Sequence, residues 1–173
     1  MITGFQFKAA LAIITITAKE LSNIIDLHQA TLLRFKHTAN LEYLNCHTKN
    51  IILLNDFFSE KNIYFPNHRT IQFTKIISEE TDDNSMLNRF QLVTSRIATG
   101  LSQRELSRHL RISAGAISLL EQLDNSQLIV NRKIRPRTLK TFFEHLGIMF
   151  LDPFTVSLAK DPSLFFKKNS NVD

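Results

Sequence analysis

The stretch LSQRELSRHLRISAGAISLLEQ, residues 101–122, decides how the chain is read. Ser102 stands where a helix N-cap belongs, with Glu105 three residues on. In that pattern a hydroxyl and a carboxylate each satisfy one orphan N–H of a helix start. Ser113 is the N-cap of a following helix. Leu106, Leu110, Ile112 and Ile117 fall where two short helices lock together, and Ser107 is small enough to face the turn between them. Two helices on a tight turn, the second projecting outward, make a helix-turn-helix. The projecting tip, Ser113-Ala114-Gly115-Ala116, is nearly bare of functional groups.

Working outward, the chain matches itself at a shift of 85 positions without a gap. Phe5-Gln6 falls on Phe90-Gln91, and Glu20-Leu21-Ser22 on Glu105-Leu106-Ser107. Leu54, Phe57 and Phe58 fall on Leu139, Phe142 and Phe143. Ile63 and Phe65 fall on Ile148 and Phe150, while Thr70-Ile71 and Phe73 fall on Thr155-Val156 and Leu158. Thr17 and Glu20 repeat the capping pattern of Ser102 and Glu105, and Leu21, Ile25, Leu27 and Leu32 repeat the apolar lock. Pro136 suits the first turn of a later helix holding Leu139, Phe142, Phe143 and Leu146. Each copy then ends in alternating apolar residues around a turn, at Asn67-His68 and at Asp152-Pro153, which predicts a closing β-hairpin. The expected fold class is mainly α: two tandem helix-turn-helix bundles, each closed by a short hairpin. The expected boundaries are a divergent first domain over 1–77, an acidic linker over 78–85, a second domain over 86–162, and a tail over 163–173.

Charge follows this division. Residues 1–77 carry 8 Lys and Arg against 5 Asp and Glu, residues 78–85 carry 0 against 4, residues 86–147 carry 10 against 4, and the remainder 3 against 3. The net of +5 is thus concentrated in the segment that holds the opening motif, the footprint of a polyanion partner. The single Cys46 rules out an intrachain disulfide framework and suits a reducing cytoplasm. No apolar run approaches the ~20 residues of a membrane span, so no membrane is expected. The start, through Ala9-Ala10-Leu11-Ala12-Ile13-Ile14, lacks the basic head and cleavage site of a signal peptide and is expected to be a folded helix.

At the helix-turn-helix stretches, LSQRELSRHLRISAGAISLLEQ and ITAKELSNIIDLHQATLLRFK, the chain resembles the XRE family, regulators similar to phage Cro and CI repressors. The opening MITGFQFKAALAI also looks like the start of members that finish in a hairpin. The resemblance implies a double-stranded DNA-binding transcriptional regulator. It assigns Gln103 to clamping phosphate and bracing the recognition helix, with Arg104 beside it. It sets Ser113, Ala114, Gly115 and Ser118 against base edges, and in the first copy His28, Gln29, Ala30 and Leu33, flanked by Lys19 and Arg34. Gln29 is suited to pair with adenine through its amide. Arg132, Lys133, Arg135 and Arg137, in and just after a loop that also holds Leu128-Ile129-Val130, are expected on phosphates. The chain departs from the family pattern at Ala18, which stands where the clamping glutamine belongs, at the apolar Leu33, and at Asp26 and Arg111, which occupy a turn position often held by glycine.

Other chemistry is thinly represented. Cys46-His47 with His37 and His28 is the nearest approach to a metal cluster but lacks a Cys-x-x-Cys or His-Glu-x-x-His pattern. No Gly-x-Ser-x-Gly elbow or Gly-rich phosphate loop occurs, so neither an enzyme nor a cofactor is expected. Most of the fourteen Phe sit at repeat-matched positions and are expected in the core, Phe165-Phe166 near the C-terminus being the exception. Two partner arrangements follow besides DNA: a homodimer made through the hairpins, and a protein partner at the first copy. Ala18, Leu33 and Leu119 motivate the second, under which the chain is a protein-binding antagonist or antitoxin-like module.

Overall fold

The computed structural model describes residues 1–74, 86–130 and 136–167, with the side chains of Pro136 and Lys167 excepted. The expected acidic linker, together with Arg132, Lys133 and Arg135, lies outside the described residues. Helices predominate, with one small antiparallel sheet. The first half runs α1 (Gly4–Ile13), α2 (Ala18–Ile24), α3 (Gln29–His37), α4 (Thr48–Glu60), β1 (Ile63–Tyr64) and β2 (Thr70–Phe73). The second runs α5 (Arg89–Thr99), α6 (Gln103–Leu110), α7 (Ala114–Leu120), α8 (Pro136–His145), β3 (Ile148–Asp152) and β4 (Thr155–Leu158), followed by α9 (Ser163–Lys167). No helix among the described residues is long and apolar enough to cross a membrane.

The helix starts follow from capping chemistry. Thr17 with Glu20 and Ser102 with Glu105 form reciprocal capping boxes, and the Ser113 hydroxyl accepts from the Ala116 N–H. Two further boxes, Thr3 with Gln6 and Asn88 with Gln91, start α1 and α5. In these the glutamine amide supplies the returning oxygen, and its NH2 reaches onward to the hairpin: Gln6 donates to the Asn67 and Thr70 carbonyls, and Gln91 to that of Asp152. One residue type thus caps a helix and ties it to the hairpin turn of its own half.

The expected hairpins are present, although Phe65 falls just outside β1. They meet each other within the chain. The sheet order is β1-β2-β4-β3, all antiparallel, with Ile71 opposite Val156. These two residues are 85 apart, so each is the other's counterpart. Around them the backbone bonds are reciprocal: Phe73 N–H donates to the Phe154 carbonyl, and Leu158 N–H to that of Arg69. An approximate two-fold axis therefore passes between Ile71 and Val156. A homodimer through the hairpins would have only the outer edges of β1 and β3 to use, because the inner edges are already paired.

Helix α1 packs against its counterpart α5 beside this sheet. Phe5, Phe7, Phe58, Phe90 and Phe143 are fully buried, and one continuous apolar cluster runs through both halves. Burial of such side chains stabilises by roughly 1.5–3 kcal/mol each. Loop residues Leu128-Ile129-Val130 are divided: Ile129 is a core residue held by a bond from its N–H to the Leu87 carbonyl, while Val130 is exposed. Leu44 makes the matching bond to Ile2. The expected tail begins as a helix, since α9 packs on α5 and the Phe166 ring lies 5.2 Å from that of His109. Phe165 stays exposed.

Side chains stitch the halves across the axis. The Asn40 amide donates to the Ala98 carbonyl at the end of α5. At the counterpart place, Arg89 donates to the Ile13 carbonyl at the end of α1, steadied by Asn125, the counterpart of Asn40. Arg89 also donates to the Ala12 and Glu121 carbonyls. Burial pushes its guanidinium below its ordinary value, opposed by the charges of Glu121 and Asp124. The first half has Gly4 at the Arg89 position. There a Cβ would stand inside contact distance of the Thr38 and Ala39 carbonyl oxygens, so only glycine fits.

Candidate functional site

The sequence directs attention to two helix pairs, α2–α3 and α6–α7, where helix-turn-helix units are expected. In each, the paired helices are in contact. Leu21, Leu32, Leu106 and Ile117 are buried between them, and Leu27 is nearly so. Ser107 is buried at the α6–α7 turn, whereas Ser22 is half-buried.

The turns differ. Arg111 closes α6 in the left-handed region at φ 56° and ψ 43°, where an L side chain costs on the order of 1 kcal/mol. Its counterpart Asp26 does not have positive φ. The first corner instead leaves α2 through an extended Ile25, and the Leu27 N–H bonds to the Ile25 carbonyl at 2.7 Å.

The outward tips also differ, position by position. On the second corner, Ser113, Ala114 and Gly115 are exposed, but the Ser113 hydroxyl is committed to the helix end. Ser118 is half-buried rather than fully presented. On the first corner, His28, Gln29, Ala30, Leu33 and Arg34 are all exposed. His28 occupies the N-cap position without spending its imidazole on the cap. Arg34 donates to the Asn45 carbonyl at 3.3 Å and lies over the Phe35 ring.

Gln103 sits at the first position of α6, half-buried, and its amide donates to the Glu121 carboxylate at 2.9 Å. Arg96 pairs with the same carboxylate, one of its bonds being 2.8 Å long. This network joins α5, α6 and the end of α7, so Gln103 braces α7 through an acid that sequence reasoning had not singled out. The signal was available: Arg96 and Glu121 are charges at positions where the first half has Leu11 and Lys36. Leu11 and Ala18 are buried and Lys36 is exposed, so the first corner has an apolar brace and a solvated cation instead.

A cleft of about 390 Å³ opens between the end of α1 and helices α5 to α7, lined in part by Thr15, Thr17, Arg89, Gln103, Ser118 and Glu121. The Arg89 and Glu121 groups are already engaged with protein partners there. Among the other proposed contact residues, Lys19, Arg104 and Arg137 are exposed. Arg108 and Arg111 add two exposed cations that the sequence reading did not assign, and the one salt bridge among the described residues is that of Arg96 with Glu121. Burial pushes the Cys46 thiol up, opposed by the charge of Arg34. Compared with protein-family models, curated proteins and solved structures, the chain matches none of them.

Proposed function

We propose that the chain is a double-stranded DNA-binding regulator of repressor-like type, two helix-turn-helix units joined in one polypeptide and acting as a built-in pseudo-dimer. The observation that carries this reading is the approximate two-fold axis between Ile71 and Val156. Duplex DNA has two-fold symmetry of its backbone, and helix-turn-helix proteins meet it as symmetric pairs. Exposed cations at Arg104, Arg108 and Arg111, which make no salt bridge among the described residues, support it, as phosphate contacts dominate affinity for DNA. Action is steric: occupation of an operator blocks or recruits polymerase.

Fluorescence anisotropy on a duplex from the chain's own upstream region, against a scrambled duplex and across salt, tests the proposal. Binding to the native duplex is expected to be tighter, and log affinity should fall with log salt by about 0.9 per phosphate contact. Absence of binding to either duplex at low salt refutes it. A second reading, docking on another protein, is favoured by Leu33 and Leu119, 42% and 66% exposed on the outer faces of α3 and α7. Charge reversal at Arg104 and Arg137 separates the two, since it should abolish DNA binding and spare apolar docking.

A further inference from the structure

We infer that the two corners divide the work of recognition: α3 reads the bases, and the α6–α7 corner anchors the chain on phosphate with little sequence preference. This rests on the DNA-binding reading above, and it inverts the ranking that family resemblance alone suggests, under which the divergent first corner is the poorer reader.

The argument is a matched comparison. Each position on the tip of α3 has a counterpart 85 residues on at the tip of α7, and at His28, Gln29 and Arg34 the first corner keeps the richer chemistry. His28 faces Ser113, whose hydroxyl is committed to the Ala116 N–H, while the His28 imidazole is left out of the cap. Gln29 faces Ala114, and neither His28 nor Gln29 has a side-chain hydrogen bond among the described residues. The Gln29 amide offers one donor and one acceptor side by side, which matches the adenine edge in the major groove. Arg34 faces Leu119, which has no hydrogen-bonding atom in its side chain. Leu33 faces Ser118, the one reversal, but Ser118 is half-buried in the cleft beside Gln103. The α7 tip therefore presents methyl groups and a bare glycine, groups able to touch a thymine methyl but unable to form a bidentate bond. What the second corner keeps is exposed cations that make no salt bridge among the described residues, Arg104 and Arg108 on α6 and Arg111 in the turn into α7. They are equal in number to Lys19, Arg34 and Lys36 on the first corner, but without polar groups at the tip beside them. Placed on phosphates, such cations fix register without reading sequence.

Selection from a pool of duplexes with a fully randomised 30-base-pair centre, using the full chain, tests the division. The enriched sites should be specified in one arm only. Gln29→Ala should flatten one position of that arm by roughly 5- to 150-fold in preference. Gln29→Glu, of equal size but without the amide donors, should flatten the same position. Ala114→Gln should add specification to the silent arm. Equal information in both arms, or an enriched site unmoved by either Gln29 variant, overturns the division while leaving the chain a DNA reader. Failure to enrich any duplex at low salt overturns the DNA reading itself.

Discussion

Ser113 and His28 hold the same place in the two halves and use their side chains in opposite ways. Ser113 closes a helix end; His28 leaves its own end open and its ring in solvent. The same contrast recurs at Arg96, Gln103 and Glu121, a charged brace where the first half has Leu11, Ala18 and Lys36. Near the axis, by contrast, the halves remain alike: hairpin register, capping glutamines and fully buried phenylalanines coincide. The tips diverge and the hairpins stay alike, while the buried Gly4–Arg89 pair is a divergence beside the axis itself. Packing between the halves constrains sequence by steric fit, and the outer corners are free of that constraint.

The comparison can be broken most forcefully in the core. Phe5→Ala and Phe90→Ala, at counterpart positions of full burial, should each cost about 3–5 kcal/mol. Urea unfolding should show one transition that both variants shift, because the apolar cluster spans the halves; two transitions, each moved by one variant, would mean that the halves fold independently. Arg89→Ala should follow at about 3 kcal/mol, since it strips donors from the Ile13, Ala12 and Glu121 carbonyls. Asn40→Ala should cost about 2 kcal/mol, since it strips donors from the Ala98 carbonyl and the Asp161 carboxylate and an acceptor from Lys8. Equal losses would erase the asymmetry of the two stitches.

Removing the capping hydroxyls, Thr17→Ala and Ser102→Ala, should cost about 1 kcal/mol each at neutral pH. Hydrogen bonds from Thr17 hold Glu20 below the usual carboxylate range. Bonds from Ser102, with the charges of Arg108 and His109, do the same for Glu105. A carboxyl whose folded-state value is depressed stabilises above its unfolded value and loses that contribution as pH falls through the folded one. The penalty of both variants should therefore narrow on acidification, and a penalty constant with pH would show that the hydroxyls act without the carboxylates. The smallest effect is expected at the turns. Arg111→Gly should relieve left-handed strain and stabilise by roughly 0.5–1 kcal/mol, whereas Asp26→Gly should be neutral or mildly destabilising. A gain at both positions would mean that the turns are equivalent after all.

Much of this architecture is legible in the chain because it is local. The boxes at Thr17 and Ser102, the cap at Ser113, the start of α8 at Pro136 and both hairpins follow from residues within a few positions of each other. The duplication adds a long-range fact, since the same pattern had to be folded twice. The boxes at Thr3 and Asn88 are equally local but less marked in the sequence, since each has glutamine where an acidic residue is the stronger signal. The pairing of β2 with β4 was beyond reach for a different reason: antiparallel edges of this length accept a partner from the same chain or another. The stitches of Arg89 and Asn40 and the brace at Glu121 join residues brought together only by that pairing and by helix packing. Periodicity reports that a side chain is buried and is silent about which carbonyl it finds.

The Ile71–Val156 pair has one more consequence. In an ordinary symmetric repressor the two reading heads come from separate chains, and operator occupancy rises steeply because assembly and binding are coupled. Here both sides of the axis are synthesised together, and dilution does not part them. Tethering holds such partners at an effective concentration on the order of millimolar. If the chain is the regulator proposed above, occupancy of its operator should track protein amount with a Hill slope of one, a graded dial in place of a threshold.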